Sequence, residues 1–256
     1  MDKWRNVTLL FVFVCTCNLS FAQPVTGEQL HILVLYENKG HHLAFTNRAV
    51  PWLKERATSD NLHLEFITDT KSITKNFLKN FDLFLQLDFV PYGWTPTAVT
   101  AFEEAINKGT IGWVGLHHAT LLGDFDGYTM WQWFYAFMGS IKFVNYIPAF
   151  ASATVHLENN NHPVFKGVSD SFTIQKEEWY TYDKSPRQQV MVLANVDERS
   201  YRPGSTITMG DHPVIWTNPK VKAKNIYMFM GHAPELFDNR DYVTIFLNAL
   251  KWAGSR

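Results

Sequence analysis

Ile111-Gly112-Trp113-Val114-Gly115-Leu116-His117-His118-Ala119 is an apolar run interrupted by glycine and followed at once by two histidines. The run reads as a buried strand. Its small-residue end reads as a tight strand-to-helix turn that exposes one side chain, the geometry of a nucleophile elbow. In a doubly wound α/β sheet, ligands bind at the carboxyl ends of the strands. The elbow position between Gly115 and Ala119, where a nucleophilic Ser or Cys would stand, holds His117. The stretch therefore predicts an α/β sheet with imidazole chemistry along its carboxyl edge.

Outward from this strand, short apolar runs alternate with amphipathic stretches. Residues 31–36 read as a first strand, continuous in apolar character as buried parallel strands are, and residues 37–42 as its carboxyl-end loop. Phe45, Ala49, Trp52 and Leu53 recur at helical spacing, and Pro51 within that pattern predicts a kink or a later helix start. Residues 62–68 and 81–87 are the next strands, the second ending near Asp88. Thr95-Pro96 opens a helix as N-cap and first-turn proline, Val99, Phe102 and Ile106 supply its buried face, and Gly109 closes it. Three strand–helix units feeding a fourth strand predict a mostly parallel sheet.

The second half is less regular. An aromatic helix is expected over residues 128–138, and strands over 151–157, 171–175, 190–196, 213–217 and 225–230, some of them antiparallel. In the last helix Tyr242, Ile245, Phe246, Ala249, Leu250 and Ala253 repeat at three- and four-residue steps. No repeat, linker or low-complexity tract divides the chain.

Lys3 and Arg5 precede an apolar run over residues 7–17, and Ser20-Phe21-Ala22 offers small residues before Gln23. That is the layout of a secretory signal peptide with cleavage after Ala22. The run is too short to span a bilayer, which takes about 20 apolar residues. Residues 1–22 are thus expected to be removed, leaving residues 23–256 as a single secreted or periplasmic domain. Both cysteines, Cys15 and Cys17, fall in the removed segment. The residues before each are not the small ones that lipoprotein processing prefers. A net charge of −1 with no basic stripe argues against nucleic acid. Aromatics make up 15% of the chain, enough to offer stacking surfaces to a carbohydrate as well as to fill a core. A homo-oligomer is left open.

The histidines gather at predicted strand ends. His41 and His42 end the first strand's loop, His117 and His118 the fourth strand, and His232 follows Gly231 after another. In a parallel sheet those points lie along one edge. Glu177 and Glu178, followed by Trp179 and Tyr180, leave a further strand and can join them. Imidazole titrates near neutrality and suits proton transfer or metal binding, and a nearby carboxylate can orient it or act as base. His162 and His212 each precede proline and read as turn entries; His31, His63 and His156 sit within strands and receive no role.

Taken in order, the Gly-His-His of residues 40–42, Gly-Leu-His-His-Ala of 115–119, His-Pro-Val of 162–164, Glu-Glu-Trp-Tyr of 177–180, His-Pro-Val-Ile-Trp-Thr of 212–217 and Gly-His of 231–232 resemble the trehalose-utilisation, or ThuA-like, family over roughly residues 30–253. The resemblance implies a flavodoxin-like fold similar to the class I glutamine amidotransferases, with helices on both faces of the sheet. It puts His117 where an amidotransferase has its cysteine. It matches Glu178 and Tyr180 to the family's Asp-Glu-Leu-Tyr stretch, with Glu177 replacing the aspartate, matches His232 to its Gly-His, and matches either His41 or His42 to its early histidine. It also implies a role in the catabolism of disaccharides and their keto derivatives.

Amidotransfer is excluded, because a mature chain without cysteine has no thiolate. The first expectation is acid–base chemistry on a sugar by His117, His118, His232 and Glu178, with His41, His42, Tyr180, Trp179 and Glu177 binding the substrate. The second is a hydrolase in which the same histidines and Glu178 hold a divalent ion such as zinc, although no His-Glu-x-x-His or comparable spacing marks one. The third is a non-catalytic carbohydrate-binding protein relying on Trp131, Trp133 or Trp179.

Overall fold

The computed structural model describes residues 28–255, so the expected signal peptide and both cysteines lie outside the described residues. The chain runs β1 (Leu30–Tyr36), α1 (Leu43–Ser59), β2 (Leu62–Ile67), α2 (Lys75–Leu78), β3 (Leu83–Leu87), α3 (Pro96–Lys108), β4 (Gly112–Leu116) and α4 (Gln132–Phe137). It continues through β5 (Phe143–Tyr146), β6 (Ala151–Leu157), β7 (Ser171–Glu177), β8 (Tyr180–Tyr182), β9 (Met191–Arg202), β10 (Pro213–Thr217), β11 (Asn225–Met228) and α5 (Arg240–Gly254).

One nine-stranded sheet has the order β2-β1-β3-β4-β11-β10-β9-β6-β7. The first five strands in that order are parallel to one another. They reproduce the 2-1-3-4-5 arrangement of flavodoxin-like folds, with β11 as the fifth strand. From β11 outward the pairing turns antiparallel through β10, β9, β6 and β7.

Strand alternation puts a helical layer on each face. On one side Trp113 meets Phe134 and Phe137 of α4, and Phe84 meets Phe102 of α3. On the other, a Cβ at Gly112 would sit 1.9 Å from the carbonyl oxygen of Ala253, so α5 lies directly on β4. The Thr95 side chain accepts the Ala98 amide at the start of α3, and Gly109 closes that helix in the left-handed conformation. Among the described residues, no helix is long and apolar enough to cross a membrane.

Four local expectations are corrected. Pro51 sits exposed inside one continuous helix, where it neither ends nor restarts α1. The aromatic helix is only Gln132–Phe137, because residues 125–128 are taken up by a turn. The strand expected to end at residue 196 continues to Arg202. The small antiparallel sheet of β5 and β8, which carries Tyr180, has no counterpart among the strands expected from the sequence.

Candidate metal centre

Each parallel strand delivers its side chains to the same edge. His42 is the N-cap residue of α1, reached from β1 by a five-residue loop. His117 follows β4 with φ +35°, a left-handed conformation that is costly for a residue with a Cβ. A chain bent this sharply at the strand end is the elbow that the glycine spacing predicts. His232 follows Gly231 after β11. Glu178 lies in the turn between β7 and β8.

The elbow is braced from below by hydroxyls. Thr120 Oγ1 and the Tyr227 hydroxyl both donate to the His117 carbonyl, at 2.9 and 3.0 Å. Thr120 Oγ1 is also 2.7 Å from the Tyr182 hydroxyl and 2.6 Å from that of Tyr227. Gly231 is required alongside: a Cβ there would lie 2.7 Å from Asp88 Oδ1 and 2.8 Å from His117 Cβ.

His42, His117, Glu178 and His232 each present one ligand atom, and all four atoms lie within 4.8 Å of one another. Among the described residues, the buried His42 Nε2 and His117 Nε2 make no hydrogen bond, and the buried His232 Nδ1 has only the Glu178 carboxylate beside it. Leaving such atoms unpaired costs on the order of 1–3 kcal/mol each. The opposite nitrogens of two of these rings are anchored: His117 Nδ1 is 3.1 Å from the Phe229 carbonyl, and His42 Nδ1 is 3.2 Å from Glu37 Oε2. A carbonyl can only accept, so His117 carries its proton on Nδ1 and turns the lone pair of Nε2 inward. Histidines that ligate metals are oriented by this kind of outer partner. Glu178 Oε2 stands 3.2 Å from His232 Nδ1 and 3.7 Å from His117 Nε2.

The electrostatics agree with the geometry. Burial holds His117 well below the ordinary imidazole range, and the neighbouring Glu178 does not offset it. Burial likewise lowers His42 to about 4, against the pull of Glu37. Both are therefore neutral near pH 7, the form that binds metals. Burial alone would raise Glu178, but its contacts with His117 and His232 outweigh this and keep it well below the usual carboxylate range. Three imidazoles and one anionic carboxylate suit Zn²⁺, Fe²⁺, Mn²⁺ or Ni²⁺.

The remaining sequence candidates divide. His118 adjoins the centre: its Nδ1 is 3.1 Å from the same Glu37 oxygen that meets His42, and its ring centroid is 3.7 Å from that of His42. Tyr180 packs its ring 4.3 Å from His117. His42, not His41, is the early histidine that faces the centre; His41 is exposed.

Trp179 and Glu177 are corrected, because neither reaches the pocket. Trp179 is fully buried, lies parallel to Phe229 at 5.4 Å and donates its indole N–H to the Ala151 carbonyl. Glu177 is also fully buried and accepts the backbone N–H groups of Glu178, Gly231 and His232, tying the Glu178 turn to the His232 loop. Burial pushes its carboxyl up to about 8, despite those amides. Trp131 and Trp133 pack on Phe102 of α3, and Trp131 donates to Glu103, so they too belong to the fold.

Glu37 and Asp88 receive no role from the sequence. The signal for Glu37 is its place in the His42 loop, five residues before that histidine. Asp88 follows β3 with φ +54°, is fully buried, and neither of its carboxylate oxygens has a hydrogen-bond partner among the described residues. The centre meets solvent at Glu37, Glu178, His118 and His232, whose side chains keep between 11 and 20% of their exposure.

The family model described as trehalose utilisation (ThuA) matches residues 31–253. A ThuA-like protein from Bacteroides uniformis is 28% identical, with a TM-score of 0.79 over 91% of this chain and 94% of that one. A ThuA-like protein from Parabacteroides merdae has the same fold at 14% identity, with a TM-score of 0.65 over 89% and 91%. A cytoplasmic protein from Salmonella typhimurium shares the fold at 12% identity, with a TM-score of 0.59 over 88% and 99%. No curated protein matches the chain.

Proposed function

The chain belongs to the trehalose-utilisation (ThuA) family, and from that premise we propose that it is a divalent-metal-dependent enzyme of disaccharide breakdown. The observation that carries the metal is the convergence of three buried imidazole nitrogens, two of them without a close partner among the described residues, with a carboxylate oxygen inside 4.8 Å. An ideal tetrahedron with metal–nitrogen distances near 2.0–2.1 Å separates its ligand atoms by about 3.3 Å, so a small closure of the four side chains suffices.

A bound divalent ion would serve as a Lewis acid toward a sugar oxygen or activate a water. The protein's own groups do the rest. His42, His117 and His232 would supply nitrogen donors, and Glu178 supplies negative charge. Glu37 orients His42 and His118 through one oxygen, which leaves the far nitrogen of His118 to exchange a proton with a substrate hydroxyl at the pocket mouth. Tyr180 forms the wall beside His117.

Metal-free acid–base chemistry by the same residues is less well supported. The 3.7 Å between His117 Nε2 and Glu178 Oε2 is longer than a hydrogen bond, so of the two histidines only His232, 3.2 Å from Glu178, is near enough to pass it a proton. Export is also part of the proposal, supported by residues 1–22 alone.

The test is a screen of ordinary and 3-keto disaccharides for turnover, with and without a chelator, on the native protein and on His117→Ala. Turnover that chelator and substitution both abolish is the expected result. Turnover indifferent to chelator would overturn the metal reading; binding without turnover would leave a carbohydrate-binding protein.

A further inference from the structure

Resting on the disaccharide reading above, we propose that Tyr92 and Tyr128 form a stacking shelf for the second, non-reacting ring of a neutral disaccharide.

The aromatic run that follows the elbow divides in two. Trp131, Trp133, Phe134 and Phe137 turn inward against α3 and β4. Tyr128 does the opposite: it stays 50% exposed and stacks on Tyr92, with centroids 5.7 Å apart and planes 30° from parallel.

The shelf is held rigidly. Asp126 and Gly127 have φ of +53° and +80°, and the Tyr128 amide donates to the Phe125 carbonyl at 2.8 Å. That is a two-residue turn of the kind Asp-Gly favours. The Tyr92 hydroxyl donates to Asp126 Oδ2 at 3.1 Å. The Tyr128 ring rests on Gly93, where a Cβ would be 3.4 Å from it.

Ring contacts link the loops that carry the shelf to the site through the protein interior. Tyr180 touches His117, Phe143 touches Tyr180 at 4.9 Å, Phe125 lies 6.1 Å from Phe143, and Tyr92 lies 6.0 Å from Phe125. Tyr92 lies in the segment that follows β3 and Tyr128 in the one that follows β4, the carboxyl edge that also carries His117.

Among the described residues, three of the four other exposed large apolar side chains lie on elements that build the site. Leu43 follows His42; Val144 and Tyr146 lie on β5, which pairs with the strand of Tyr180. An exposed aromatic face beside carboxylates fits the alternating C–H faces and hydroxyls of a pyranose. Residues 124–130 contribute Asp124 and Asp126 and no cation, which selects a neutral sugar over a phosphorylated one.

Calorimetric titration with trehalose as the two-ring probe and methyl α-glucoside as the one-ring probe tests the shelf. The native protein should prefer trehalose. Tyr128→Ala, a change at a half-exposed position, should lower that preference about tenfold, and Tyr128→Phe should retain it. Equal binding of the two probes, binding of neither, or a preference that survives Tyr128→Ala overturns the shelf. Zinc uptake by the same samples is scored separately. Its absence would count against the metal centre, whereas the shelf stands or falls on the ratio between the two sugars.

Discussion

Replacing Gly231 by Ala probes the packing that holds the centre together. The added Cβ would stand 2.7 Å from Asp88 Oδ1, 2.8 Å from His117 Cβ and 3.3 Å from Leu116 Cβ. The Asp88 carboxyl can rotate away, but His117 Cβ is fixed to a strained backbone, so β4 and the Gly231 loop must separate. Forcing a methyl into such a contact costs roughly 1–3 kcal/mol. For a domain of this size each kcal/mol lowers the melting temperature by about 2–4 °C, so a fall of about 4–8 °C is expected for the middle of that range. Gly204→Ala is the matched control. No described residue lies within 4 Å of a Cβ there, and its φ is not left-handed, so its effect should stay within about 0.5 kcal/mol. Thermal and urea unfolding of both variants decides the matter. A Gly231→Ala protein as stable as the native one, or a Gly204→Ala protein equally damaged, would refute the reasoning.

Tyr227→Phe removes the hydroxyl that reaches both His117 and Thr120, and should destabilise by about 1–2 kcal/mol in urea unfolding while weakening metal uptake. Burial would raise the Glu198 carboxyl, but His212 and the amides of Met209 and Gly210 outweigh it and hold it low. Its folded value then lies below its unfolded one, so its contribution is complete above the unfolded value and is lost as pH falls through the folded one. Glu198→Gln should accordingly be less stable than the native protein at pH 7, with the gap closing in unfolding curves taken below about pH 4. Export predicts that protein recovered from outside the cytoplasm begins at Gln23, which N-terminal sequencing checks; an intact Met1 in that fraction would remove the signal-peptide reading.

Much of the first half of the fold is legible because β1, β3 and β4 are nearly continuous apolar runs and α3 is capped at both ends. Thr95, Pro96 and Gly109 mark α3 to the residue. The site is legible wherever a strand end coincides with a histidine, since a parallel sheet aligns those ends: His42, His117 and His232 meet across nearly two hundred residues. Aromatic residues mislead. Trp179 reads as a binding residue beside Glu178, but alternation along the chain turns its neighbour Glu178 outward and the indole into the core. Glu177 and Glu178 are indistinguishable in sequence, and only the three amides that surround Glu177 assign it to holding loops together. Tyr128 is hidden for a related reason, as the helical pattern of residues 128–138 masks the Asp-Gly turn just before it.

Calorimetric titration of chelator-stripped protein with Zn²⁺ measures the central claim directly. One equivalent should bind, with affinity sharply reduced in His117→Ala and Glu178→Gln and preserved in His41→Ala. No uptake, or uptake that both site variants retain in full, would contradict a metal centre built from His42, His117, Glu178 and His232.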